Sequence, residues 1–150
     1  MKTNFNIKDK FSFKLYPHLK EGEILTALLR EIEYYNLPNE VLFEFERLWN
    51  LRFWETSGYD GATGIKNRKH PSIANFLHDG YYRCGYGGKV ADLIYKWLLP
   101  LTGYTEKTAK IRYAGIRSLG SYFRLRNYLK GNIKQKPHSM MSLYYLLKNE

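Results

Sequence analysis

The chain has 150 residues, enough for one domain with a buried core, and its 44% hydrophobic and 17% aromatic content excludes a disordered polymer. A single cysteine, Cys84, excludes an internal disulfide, and nothing reaches the roughly 18 consecutive apolar residues of a transmembrane helix. The net charge of +10 is lopsided, with 14 Lys/Arg against 12 Asp/Glu in residues 1–103 and 10 against 2 in residues 104–150.

In chain order, Met1 to Lys20 carries no unbroken apolar run of the secretory kind, so the chain reads as intracellular or as part of a particle assembled inside a cell. Phe11 to Leu15 alternates apolar and polar residues and predicts a half-buried strand. Glu23 to Tyr35 stays open: Ile24, Leu28 and Ile32 suit a helix face, whereas Ile32-Glu33-Tyr34 also suits a strand. Asn36-Leu37-Pro38-Asn39 ends it with a turn. Val41–Glu46 and Leu51–Glu55 predict two further strands, joined as a hairpin. The fold class expected is therefore α+β in a single domain over 1–150: a β-rich N-terminal part (1–58), a helical core (59–130), and a basic linker with a short C-terminal helix (131–150).

Tyr59-Asp60-Gly61-Ala62-Thr63-Gly64 is a glycine loop with one carboxylate, and Ser72 stands as a helix cap before the apolar run Ile73–Leu77. That run leads into His78-Asp79-Gly80-Tyr81-Tyr82-Arg83. After the glycine-rich break Cys84–Gly88 a second helix carries Asp92 in its first turn, and Pro100 marks its end. Helices joined by so short a break pack together, which brings Asp92 towards His78. His78 then suits a general base holding a water, with Asp92 fixing its tautomer and steadying the cation formed. Tyr82 lies one turn after His78 on the same face, placed to hydrogen-bond Asp92. Asp79 remains for a hard cation. Calcium takes about six to eight oxygens, so Asp79 needs help, and Asp60 with a backbone oxygen of its glycine loop is the nearest source.

His78-Asp79-x-x-Tyr82 followed by Asp92 resembles the core of the phospholipase A₂ superfamily, and most nearly its disulfide-poor bacterial branch. The order Tyr59–Thr63, His78–Tyr82, Ala91-Asp92-Leu93-Ile94-Tyr95 and Tyr113–Gly120 also resembles a small phage-borne family of unknown function, over roughly residues 59–120. The resemblance implies a phospholipase A₂-like antiparallel helix pair. It makes His78 the base, Asp92 its orienting carboxylate and Tyr82 the support of that pair. Asp79, Asp60 and the Gly61 carbonyl become ligands of a Ca²⁺ cofactor, for hydrolysis of phospholipid or related esters. It also implies a bacteriophage protein, in the virion or the host cytoplasm. Three departures stand out: Gly61 and Gly64 are expected to make the loop more flexible, Gly80 directly after Asp79 to loosen the helix, and the connection between the helices is short, with no disulfides.

Thr105 is placed to cap a long third helix, Glu106 to about Leu129, with Gly131–Pro137 as a basic linker and Ser139 as the cap of the last helix. Arg112, Arg117, Arg124, Arg126, Lys130, Lys134 and Lys136, interleaved with Tyr113, Tyr122, Phe123 and Tyr128, form a candidate polyanion-binding surface. Three readings remain: a calcium-dependent lipid ester hydrolase whose basic tail docks on anionic phospholipid, a non-catalytic virion component contacting other phage structural proteins, and a nucleic-acid-binding protein. Each makes a use of the excess charge.

Overall fold

The computed structural model describes residues 4–8, 12–13, 16–54, 71–129 and 138–149, side chains excepted at 12, 13, 17, 120–129 and 138. Two short strands, β1 (Ser12–Phe13) and β2 (Tyr16–Lys20), pair antiparallel at the N-terminal end. All other regular structure among the described residues is helical: α1 (Glu21–Tyr34), α2 (Asn39–Leu51), α3 (Ile73–Arg83), α4 (Lys89–Leu101), α5 (Glu106–Leu129) and α6 (His138–Lys148).

The N-terminal half is thus not β-rich, and α+β gives way to a mostly helical fold. The strands expected over Val41–Glu46 and at Leu51 are one helix, α2. The reason is which residues are buried. Val41, Phe45, Leu48 and Trp49 are fully buried, a spacing of four, three and one that only a helix puts on one side, while Phe43 points outward. The aromatic alternation that suggested a strand included that outward phenylalanine. Glu21–Tyr34 resolves to a helix by the same pattern, with Ile24, Leu25, Leu28 and Ile32 inside. Arg52, left-handed at φ 52°, stops α2 and turns Phe53 and Trp54 back into the core.

An aromatic cluster holds the centre. Phe45, Trp49, Phe53 and Trp54 all surround Phe76 of α3, with ring centroids 5.1 to 6.0 Å from it. Gly80 belongs to this contact: a Cβ there would sit 3.0 Å from Phe53 Cε1 and 3.1 Å from Leu48 Cδ1. Rather than loosening α3, the missing side chain lets it lie close against α2.

Charged groups also tie the elements. Glu21 of α1 is fully buried and pairs with Arg52, and it also accepts the Lys8 N–H at 3.1 Å. The same Arg52 donates to the Asn6 carbonyl at 3.0 Å, so the N-terminal segment is strapped across the end of α2. Ser72 makes no side-chain cap on α3. Glu31 of α1 takes that role, accepting the Ile73 N–H at 3.0 Å and fixing where α3 begins. Thr105 does cap α5, through the Thr108 N–H at 3.0 Å. Pro100 lies inside α4, one residue before its end. α3, α4 and α5 pack on one another, α4 on α6, and α2 on α3 and α6. No helix among the described residues is long and apolar enough to cross a membrane.

Candidate functional site

The site lies where α3, α4 and α5 meet. Asp92, in the first turn of α4, is 0% exposed. A bare carboxylate at such depth carries a large desolvation cost, so its fate depends on its partners. It has three, two of them on α3 and one on α5. His78 Nε2 of α3 lies 2.8 Å from Oδ1, the Tyr82 hydroxyl of α3 donates to the same oxygen at 2.8 Å, and Arg117 Nη1 of α5 donates to Oδ2 at 2.8 Å. Burial pushes the Asp92 carboxyl up, but the bonds from His78, Arg117 and Tyr82 outweigh it and hold the group below the usual carboxylate range. The positive end of α4 acts in the same direction. Asp92 is therefore ionised.

An ionised carboxylate only accepts, so Nε2 of His78 carries a proton, and in the neutral ring Nδ1 is then the bare nitrogen. No described residue hydrogen-bonds Nδ1, and the ring is 18% exposed. Two tyrosines clamp it, Tyr82 at 4.8 Å and Tyr95 at 4.7 Å between ring centroids. Tyr95 is held in turn: its hydroxyl donates to Asn75 Oδ1 at 2.6 Å and accepts from Arg112 Nη1 at 3.0 Å. The result is a fixed imidazole with one nitrogen locked and the other at hand.

The turn between the helices is part of this geometry. A Cβ on Gly87 would run into the Tyr82 ring. The short connection is thus filled by the ring that braces His78.

Other expected site residues fall elsewhere. Asp79 Oδ1 faces Arg83 Nε at 3.4 Å, a long pair within α3. Among the described residues no group of three or more His, Cys, Asp or Glu side chains stands together to hold a metal. One carboxylate beside a guanidinium falls well short of the oxygens that calcium takes, so the described donors do not make a calcium site. Asp60 and Gly61 lie outside the described residues, as do Lys130, Lys134 and Lys136. Arg124 and Arg126 lie on α5, where only the backbone is described. Arg112 is buried, bonded to Tyr95 and laid over the Tyr104 ring at 4.7 Å, so it is no part of an exposed basic face. Arg117 is half-turned inward to Asp92. Cys84 is buried, and burial pushes its thiol up to about 11, against the pull of Arg47, which rules it out as a nucleophile at neutral pH.

The chain matches no family model, no curated protein and no solved structure. Two members of the site, Asn75 and Tyr95, carry no site role in the sequence, and Arg117 reads there only as part of a polyanion-binding surface. Asn75 precedes His78 by three residues and Tyr95 follows Asp92 by three, so each shares a helix face with a site residue. Arg117 has no such local signal. Only the requirement that a buried acid be neutralised from outside its own helix pair points to it.

Proposed function

We propose that this protein is an ester hydrolase in which His78 is the general base, Asp92 its orienting carboxylate and Tyr82 the brace of that pair. The observation that carries the reading is the 2.8 Å bond between His78 Nε2 and a fully buried Asp92, on a ring whose Nδ1 is engaged by no described residue. Nδ1 takes a proton from a bound water as its oxygen attacks the ester carbonyl. Asp92 steadies the imidazolium so formed, which then gives its proton to the departing alkoxide. Water and ester become acid and alcohol, and His78 returns neutral. Phospholipid, or a related ester at an anionic surface, is the substrate class that the resemblance to phospholipase A₂ favours, and the +10 charge supports it. Bacteriophage origin, in virion or host cytoplasm, rests on the resemblance to the phage-borne family instead.

The test is release of fatty acid from mixed phosphatidylglycerol–phosphatidylcholine vesicles by the wild type, H78A and D92N, each with calcium and with chelator. Expected is hydrolysis that falls by about 100-fold or more in H78A, the lower end of what a general base supplies, while circular dichroism is unchanged. Activity that needs calcium would give Asp79, Asp60 and the Gly61 carbonyl the ligand role. Activity that survives chelation dispenses with the ion. Equal rates in wild type and H78A would overturn the reading.

A second reading has its own support. The Asp92 carboxylate accepts bonds from α3 and α5 while sitting on α4, and this also serves as a structural brace. On that reading the protein is a non-catalytic virion component, its exposed cations facing neighbouring proteins or nucleic acid. H78A would then leave assembly unaffected.

A further inference from the structure

A histidine–carboxylate pair is usually thought of as two residues, yet here the carboxylate is shared. Arg117 reaches in from α5 and takes Oδ2 at 2.8 Å. Its side chain is 36% exposed while Asp92 is sealed, so the guanidinium lies between the buried acid and solvent. With Oδ2 held from one side and Oδ1 bonded by His78 and Tyr82, the carboxylate plane has no freedom to rotate. Electrostatically, the negative charge facing His78 is partly cancelled by a positive charge on its far side.

We propose that Arg117 is a positioning residue for His78: by holding Asp92 Oδ2 it fixes the carboxylate plane, and through it the Nε2 bond that orients the imidazole and keeps Nδ1 available. The inference rests on the hydrolase reading for its catalytic consequence, but its structural content stands on the three bonds alone. The other titratable and charged groups at this junction are few. On α3 they are Tyr82 and the Asp79–Arg83 pair, and on α4 Tyr95. On α5 Tyr113 lies one turn before Arg117, and the buried Arg112 acts one step removed through the Tyr95 hydroxyl. Among the described residues only Arg117 contacts the carboxylate as a guanidinium.

The test is nitrogen-15 spectra of the His78 ring at one neutral pH in the full chain, with vesicle hydrolysis kinetics, for wild type, R117Q and R117K. R117Q is expected to weaken the preference for the tautomer with its proton on Nε2 and to lower kcat by about 10-fold while KM changes little. R117K, which keeps the charge and loses the planar fork, is expected between the two. Wild-type ring spectra in R117Q would overturn the proposal. Should R117Q not fold, R117K decides alone: a partial loss of the tautomer preference supports the proposal and none overturns it. Failure of the hydrolase reading looks different, because the ring spectra would still change while no variant cleaved ester. Ring spectra that stayed at wild type in an active, His78-dependent enzyme would sink Arg117's role and spare the base.

Discussion

At the scale of the residue, Asp92 decides whether this is a site or a flaw. A fully buried carboxylate with one partner removed leaves the others facing an uncompensated charge or an empty acceptor. Its pH behaviour follows from its depressed value. In the unfolded chain the carboxyl titrates near the ordinary ~3.9, and in the folded protein lower, held there by His78, Arg117 and Tyr82 against the opposing effect of burial. The stability this contributes is fully present above about pH 4, and is lost as pH falls through the folded value. D92N carries no such charge, so the gap in stability between wild type and D92N should be widest near neutrality and close on acidification below about pH 4. Urea melts at a series of pH values measure it. At neutral pH the gap should be about 1–3 kcal/mol, below the figure for sealed ion pairs because Arg117 is partly solvated. A gap that widens in acid would mean that the carboxyl is protonated in the native state.

At the scale of the element, the α3–α4 turn sets the distance between base and carboxylate. Gly87 lies against the face of Tyr82, and the Tyr82 hydroxyl holds Asp92. G87A should therefore act on two levels: a loss of stability of about 1–3 kcal/mol from overpacking, and a weakened Tyr82–Asp92 bond that Y82F would reproduce without the clash. Thermal melts and nitrogen-15 spectra of the His78 ring in both variants check this. An unperturbed G87A would mean that the turn yields freely and does not position the ring. This part of the molecule was readable in the sequence because its determinants are local: His78 and Tyr82 share one turn, and a glycine-rich break pins α4 close behind. The elements of the first half were not readable in the same way. α2 shows its period only when Phe43 is known to face out, and a strand pattern needs Phe43 facing in with Val41 and Phe45. The cap of α3 was likewise hidden, since Glu31 reaches it from forty-two positions earlier while the obvious local candidate, Ser72, makes no cap.

At the scale of the whole molecule, the site exists only because three helices converge. α3 brings the imidazole, α4 the carboxylate and α5 the guanidinium, and the aromatic core around Phe76 presses α3 into place from behind. Charge is divided accordingly. Some of the arginines that composition alone assigns to a cationic surface are spent inside: Arg112 on Tyr95, Arg52 on Glu21. Lys107 and Lys110 of α5 remain outside with Arg117. Long-range pairing of this kind leaves no mark on local sequence, which is why Arg117 read as one more surface cation. The convergence also gives the most direct measurement available. Nitrogen-15 spectra of the His78 ring, in the folded chain and in urea, report which ring nitrogen carries the proton. In the folded protein at neutral pH the proton should sit on Nε2, bound to Asp92, with Nδ1 bare; in urea this constraint should vanish. A folded protein whose His78 carries its proton on Nδ1 would contradict the whole arrangement, for the nitrogen required to accept a proton from water would already hold one.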